Sequence, residues 1–212
     1  MSPGAAAART ERTFVEAARR AQIVESAIDT IADVGFARAS LARIGERIGI
    51  SKGLIGYHFD GKDDLIKEVV FEILEQGKAY MRPRILAEAS TGPGFLRAYI
   101  ESNLAFMREH RNHMVAIVEI ARGGITADGK QRFYSDADVD EAVQILAQHL
   151  AHFQAVGQLR PDFDPLVMAV AMRAAIDAVP RRLAHDPDLD VDAYARQIAN
   201  LFDLATRPQA ST

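Results

Sequence analysis

Cysteine is absent from the 212 residues, which excludes a disulfide framework and any thiolate-based zinc site and suits a reducing compartment. Long hydrophobic runs are missing too. No apolar stretch approaches the roughly 18–20 residues that a membrane span needs, and residues 1–8 are small and nearly uncharged. A soluble, cytoplasmic protein without an export signal is the expectation. Strand-like alternation, fixed-period repeats and low-complexity tracts beyond the alanine-rich start are likewise lacking, which points away from β-folds and repeat arrays. A positive balance is also missing. The formal net charge is −4, whereas nucleic-acid binders often carry excess Lys and Arg.

The distribution of charge qualifies that last point. Up to Lys62 there are nine Lys/Arg against seven Asp/Glu, and from Asp63 onward sixteen against twenty-two. The first third is thus the part best able to meet phosphate. Apolar residues make up 49% of the chain, enough for one medium domain or two small ones sharing helices.

Helical periodicity runs through most of the sequence. Ile23, Ala27 and Ile31, with Val24 and Ile28 beside them, give an apolar stripe over residues 13–34 that Gly35 ends. Ser40 is placed to cap a second helix over 41–48, and Ser51 a third that ends near Tyr57, with Gly49 in the turn between them. Ile50 and Ile55 have the spacing of a hydrophobic staple. From Lys62 a longer pattern carries Leu65, Ile66, Val69, Val70, Ile73 and Leu74 toward Met81; Pro83 is expected to disturb it and Thr91-Gly-Pro-Gly94 to break it. Further helices are expected near 94–110, 113–122, 136–157, 163–184 and 191–206, the fourth of these kinked or ended at Pro180. Loops fall at Gly123-Gly124, Gly129, 160–162 and 186–188.

The stretch from Ser40 to Phe59, which includes Gly49, Ser51-Lys52-Gly53 and Tyr57-His58-Phe59, followed by Lys62, resembles the helix-turn-helix of the TetR (tetracycline-repressor-type) family. The resemblance implies an all-α protein with an N-terminal three-helix DNA-binding head on a larger helical ligand-binding and dimerisation domain. The corresponding division is a flexible tail at 1–12, the head at 13–61, the body at 62–206 and a C-terminal tail at 207–212. It also implies a transcriptional regulator, usually a repressor released from its operator by a small molecule, with no cofactor, no metal and no catalytic residues.

Ile44, Ile48, Ile50, Ile55 and Phe59 have the positions to fix the helix crossing, while Lys52, Gly53, Leu54, Gly56 and Tyr57 are the candidates for the major groove. By the resemblance, Tyr57 and His58 add base or phosphate contacts, Ser40 and Arg43 touch phosphate, and Lys62 binds it at a helix N-terminus. Gly56 stands where the family often has an aromatic residue and Leu54 where a hydroxyl is frequent. Hydrogen-bond readout is therefore expected to be sparse. Leu54 is expected to press on a thymine methyl and Gly56 to let the backbone approach the sugar-phosphate, with DNA shape carrying part of the specificity. The competing reading of Gly53, Gly56 and Tyr57 is that the glycines permit close packing and the ring joins the core.

The resemblance reaches more weakly into the last third, where relatives dimerise. Leu166, Val167, Val170, Ala171, Ala174, Asp177 and Ala178 on one helix, with Ile198, Leu201, Phe202 and Ala205 on the other, are expected to form a four-helix contact between two subunits. A two-fold dimer then meets a palindromic operator. By the resemblance the effector lies among the middle helices, with Phe95, Tyr99, Phe106, His110, Glu119, Arg122, His149 and Phe153 as candidates. It is expected to act by shifting residues 62–81 through Phe71, Ile73 and Leu74.

The pairs His110/His113 and His149/His152 sit at spacings that a metal site uses. Together with Asp136, Asp138 and Asp140 they support an alternative, an all-helical metal-dependent enzyme, which leaves the Ser51 to Lys62 motif unexplained. A regulator that answers to a protein partner, or to no effector, is the third reading.

Overall fold

The computed structural model describes the backbone of residues 3–125, 133, 136–186 and 188–208; the side chains of 3–13 and 136–140 lie outside that description, as does Gly129. Among the described residues the regular structure is helical. α1 (Pro3–Val34), a 3₁₀ turn (Phe36–Arg38), α2 (Leu41–Arg47) and α3 (Lys52–His58) form the head. α4 (Lys62–Glu88), α5 (Gly92–Glu109), α6 (Arg111–Gly123), α7 (Asp136–Ala155), α8 (Pro165–Asp177), α9 (Val179–His185) and α10 (Val191–Thr206) form the body. The helical backbone of α1 begins at Pro3, ahead of the apolar stripe that starts the expected helix at Thr13.

The head is built on the stripe of α1. Ile23, Val24, Ala27, Ile28 and Ile31 are all buried, and so are Ile44, Ile55 and Phe59 opposite them. Ser26 Oγ donates to the Ile44 carbonyl at 2.9 Å and ties α1 to α2 inside the core. Both serine caps form: Ser40 Oγ accepts from Arg43 N at 3.3 Å and Ser51 Oγ from Leu54 N at 3.2 Å. The turn between α2 and α3 depends on two glycines. Gly49 has φ of 70°, which a side chain opposes, and a Cβ on Gly45 would lie 2.5 Å from the Ile50 carbonyl oxygen.

In the body α5 is central, packed against α4 and α10 and touching α8. Phe95, Leu96, Ile100 and Leu104 fill that contact, and one continuous apolar cluster joins them to the head through α4. α1 also lies directly on α6.

Several expectations are corrected. α4 does not weaken at Met81 but runs through Pro83 to Glu88. Pro83 is exposed, so carbonyls without their usual backbone donor can turn to water, and the Arg84 guanidinium bonds the Tyr80 carbonyl at 2.9 Å. Thr91 is a start as well as a break, since its Oγ1 accepts from Gly94 N at 3.1 Å and caps α5. The interruption expected at Pro180 is found: the stretch 163–184 holds two helices divided at Ala178, with Pro180 in the first turn of α9. On α10, Ile198 and Phe202 turn into the protomer's own core, and the outward apolar residues are Leu201 and Leu204, 61% and 68% exposed. On α4, Ile73 is buried but Phe71 and Leu74 face out, so only Ile73 of that expected route joins the core.

Candidate nucleic-acid interface

α3 buries one face only. Ile55 inside it and Phe59 at its C-cap hold it to α1 and α2, while Lys52, Gly53, Leu54, Gly56 and Tyr57 are exposed. Tyr57 is 73% exposed, which removes the alternative that its ring belongs to the core. Its ring stands edge-on to His58, with centroids 5.1 Å apart. Ser40 and Arg43 flank the same head from α2; Arg43 remains exposed, with a 3.3 Å bond to the Arg38 carbonyl.

Lys62 has a partner that its sequence position does not announce. Its Nζ donates to the Phe36 carbonyl at 2.6 Å and lies 4.3 Å above the centre of the Phe36 ring. Partial burial pushes the Lys62 ammonium below the ordinary lysine range, against the pull of Asp63. The same Phe36 ring covers Gly123, where an added Cβ would come within 2.2 Å of it.

Arg20 is a tie of the head that sequence reasoning missed. Its guanidinium bonds the His58 carbonyl at the end of α3, covers the Phe59 ring at 4.2 Å and pairs with Glu68 of α4 at 3.2 Å. One side chain thus fixes the end of α3 to α1 and α4. Arg47 does a similar service for α2, pairing with Asp29 at 3.5 Å and Asp33 at 2.5 Å, and the Asp33 hydrogen bond leads in raising its pKa. Neither role has a local signature, because the partners lie far away in sequence.

The eight effector candidates fall into three places. Phe95 stacks on His149 at 4.8 Å and meets Tyr99 and Phe153 at 6.1 and 5.5 Å, one aromatic group between α5 and α7. Phe106 and His110 are 4.5 Å apart and join Tyr80 of α4. Glu119 and Arg122, 3.5 Å apart, stand nearer the head, where Glu119 lines an open cleft of about 400 Å³ with Asp33, Phe36 and Arg38.

The histidine pairs behave differently from each other. His113 is buried, bonds Gln76 of α4 at 3.0 Å and lies 3.9 Å from Glu25 of α1. Burial, then neighbouring His110, push its pKa down, while burial and Asp29 raise that of Glu25. His149 and His152 diverge, one to the Ile145 carbonyl and Phe95, the other edge-on to Phe153. Among the described residues no three His, Asp or Glu side chains are grouped to hold a metal. The side chains of Asp136, Asp138 and Asp140 lie outside the described residues.

A short Ser-capped helix, bare on one side and set by a tight turn against a second, is the architecture of a DNA-reading head. Residues 23–69 match the family described as bacterial regulatory proteins, tetR family. A curated relative, the HTH-type transcriptional regulator BetI 1 of Chromohalobacter salexigens, is 40% identical over 87 residues, 40% of this chain and 42% of the relative. The chain thus matches less than half the length of such relatives. Across the whole body the similarity is one of fold. The transcriptional regulator FadR of Bacillus subtilis in complex with stearoyl-CoA superposes with TM-score 0.73 at 19% identity, covering 85% of this chain and 95% of that one. SmeT, repressor of the Stenotrophomonas maltophilia efflux pump SmeDEF, does so at 0.70 and 20%, covering 90% and 91%. The tetR-family match thus covers most of the head and the start of α4. No helix among the described residues is long and apolar enough to cross a membrane.

Proposed function

We propose that this protein is a sequence-specific DNA-binding transcriptional regulator, a repressor that leaves its operator when a small molecule enters the body. The observation that carries the reading is α3, whose apolar side is buried while Lys52, Leu54 and Tyr57 stand free for the major groove. Ser40, Arg43 and His58 flank it as positioning contacts, with Gly53 and Gly56 on its open side. Lys62 serves first as a tie between the 3₁₀ turn and α4 and meets phosphate from there.

The active form in this reading is a two-fold dimer joined through α8 and α10. It is supported by an outward apolar surface of Leu166, Val167 and Val170 on α8 with Leu201 and Leu204 on α10, each at least 43% exposed. The effector is assigned to the aromatic groups around Phe95, Tyr99, His149 and Phe153 and around Phe106 and His110. Glu119 and Arg122 lie closer to the head and fit a relay better than a pocket wall. The names of the relatives, all regulators, favour this reading over the metal-dependent enzyme.

The test is an anisotropy titration against the DNA upstream of the protein's own gene, over a salt series, with the native chain and a Lys52→Ala, Tyr57→Ala double variant. Tight binding is expected, weakening with salt at a slope of about −0.9 per phosphate contact, and falling at least about a hundredfold in the variant. Weak binding of equal strength in both proteins would count against this operator and against α3 as the reading element.

A further inference from the structure

Gly53 and Gly56 leave two bare positions on a seven-residue helix, and the fold requires neither. Both have ordinary helical backbone, since the positive-φ glycines among the described residues are Gly35, Gly49, Gly61 and Gly157. A Cβ on Gly56 would meet nothing within 4 Å, and one on Gly53 only Ser51 Oγ at 3.7 Å, an ordinary contact. Gly45, one helix earlier, is the contrast, because there the Ile50 carbonyl leaves no room. Glycine within a helix is less stable than alanine. The protein therefore carries a cost at Gly56 that its own packing does not explain.

Helical geometry places the two glycines. At about 100° per residue, Gly53 and Tyr57 point most directly away from the buried Ile55 and Phe59, and Gly56 lies beside Gly53 toward Lys52. The result is a shallow notch, floored by the glycine backbone and bounded by the exposed Tyr57 ring and the Lys52 stem. Its floor has no side-chain donor or acceptor, and the Gly56 N–H is inside the helical ladder. The polar ends of Lys52 and Tyr57 stand at the rim, so a group seated on the glycine floor itself meets no side-chain hydrogen-bond partner. The apolar group on a major-groove edge is the C5-methyl of thymine.

We propose that Gly53 and Gly56 are specificity-determining residues, and that a thymine C5-methyl of each half-site fills the notch beneath Tyr57. The proposal rests on the DNA-binding reading above and refines it, with Gly56 meeting a base edge rather than the sugar-phosphate.

The experiment begins by selecting duplexes from a random library with the native protein. Each thymine of a selected half-site is then replaced by uracil, which lacks the methyl, and affinity is measured for the native chain, Gly53→Ala and Gly56→Ala. At least one uracil is expected to weaken native binding about fourfold, the worth of one buried methyl. Gly56→Ala should lose about tenfold or more on the thymine duplex, become indifferent to that uracil, and melt about 2–4 °C higher than the native chain. Native-like affinity of Gly56→Ala, or indifference of the native protein to every uracil, would overturn the notch while leaving DNA binding intact. Failure to enrich any duplex with salt-sensitive affinity would remove both readings together.

Discussion

Arg20 joins three contacts that otherwise have no connection: the carbonyl that ends α3, the face of Phe59 and the carboxylate of Glu68. Its planar fork suits that combination and the single ammonium of lysine does not. Replacing Arg20 by Ala is expected to cost about 1 kcal/mol of stability, since its guanidinium and the Glu68 carboxylate are both partly exposed. Binding to a selected duplex should weaken with an unchanged salt slope, because a residue that only positions α3 releases no counterion. Arg20→Lys should recover less than half of the lost affinity. A shallower slope in Arg20→Ala would mean that Arg20 itself touches phosphate. Nothing near position 20 in the sequence signals this role, since its partner carbonyl is 38 residues away.

At the scale of elements, the meeting of α1, α4 and α6 encloses His113. Facing it are Glu25 and Asp29 of α1, Glu72 and Gln76 of α4, and His110 before α6. Its pKa is depressed in the fold, so the unfolded chain binds the proton first as pH falls through the ordinary histidine value of 6.5. Stability contributed by neutral His113 is present above that pH and is lost below it. Glu25, with a raised pKa, acts in the opposite sense at lower pH, where protonation relieves a buried charge. Thermal melts between pH 7.5 and 5.5 should show the native chain losing stability and His113→Gln losing less; equal losses would refute the assignment.

The same elements mark what the sequence could and could not convey. The caps at Ser40 and Ser51 were legible because a cap is a contact over three residues. The rotation of α10 was not. Ile198 and Phe202 share a stripe with Leu201 and Ala205, and periodicity alone does not say which edge meets the protomer's own α5. Pro83 misled for a related reason, since the cost of a proline in a helix depends on whether the freed carbonyls reach water. Within the site, the exposed set on α3 followed from its helical spacing, but the Lys62 contact with Phe36 is a tertiary event across 26 residues.

For the whole molecule, the outward apolar surface of α8 and α10 is where the proposed dimer is tested. Two recognition helices set about 34–36 Å apart gain from each other's binding, and a lone head does not. A Leu201→Glu, Leu204→Glu variant should run as a monomer in light scattering, keep its helical circular dichroism, and bind a selected duplex at least about a hundredfold more weakly. A variant that stays dimeric would place the subunit contact elsewhere.

Two of the bonds already described close the head into rings of chain. Arg20 joins His58 across one span and Lys62 joins Phe36 across another, and the two spans overlap through α2 and α3. A segment held inside overlapping rings cannot fray from either end. The reading helix and its support therefore open together or stay shut, as one cooperative unit whose local stability is that of the ties at its borders.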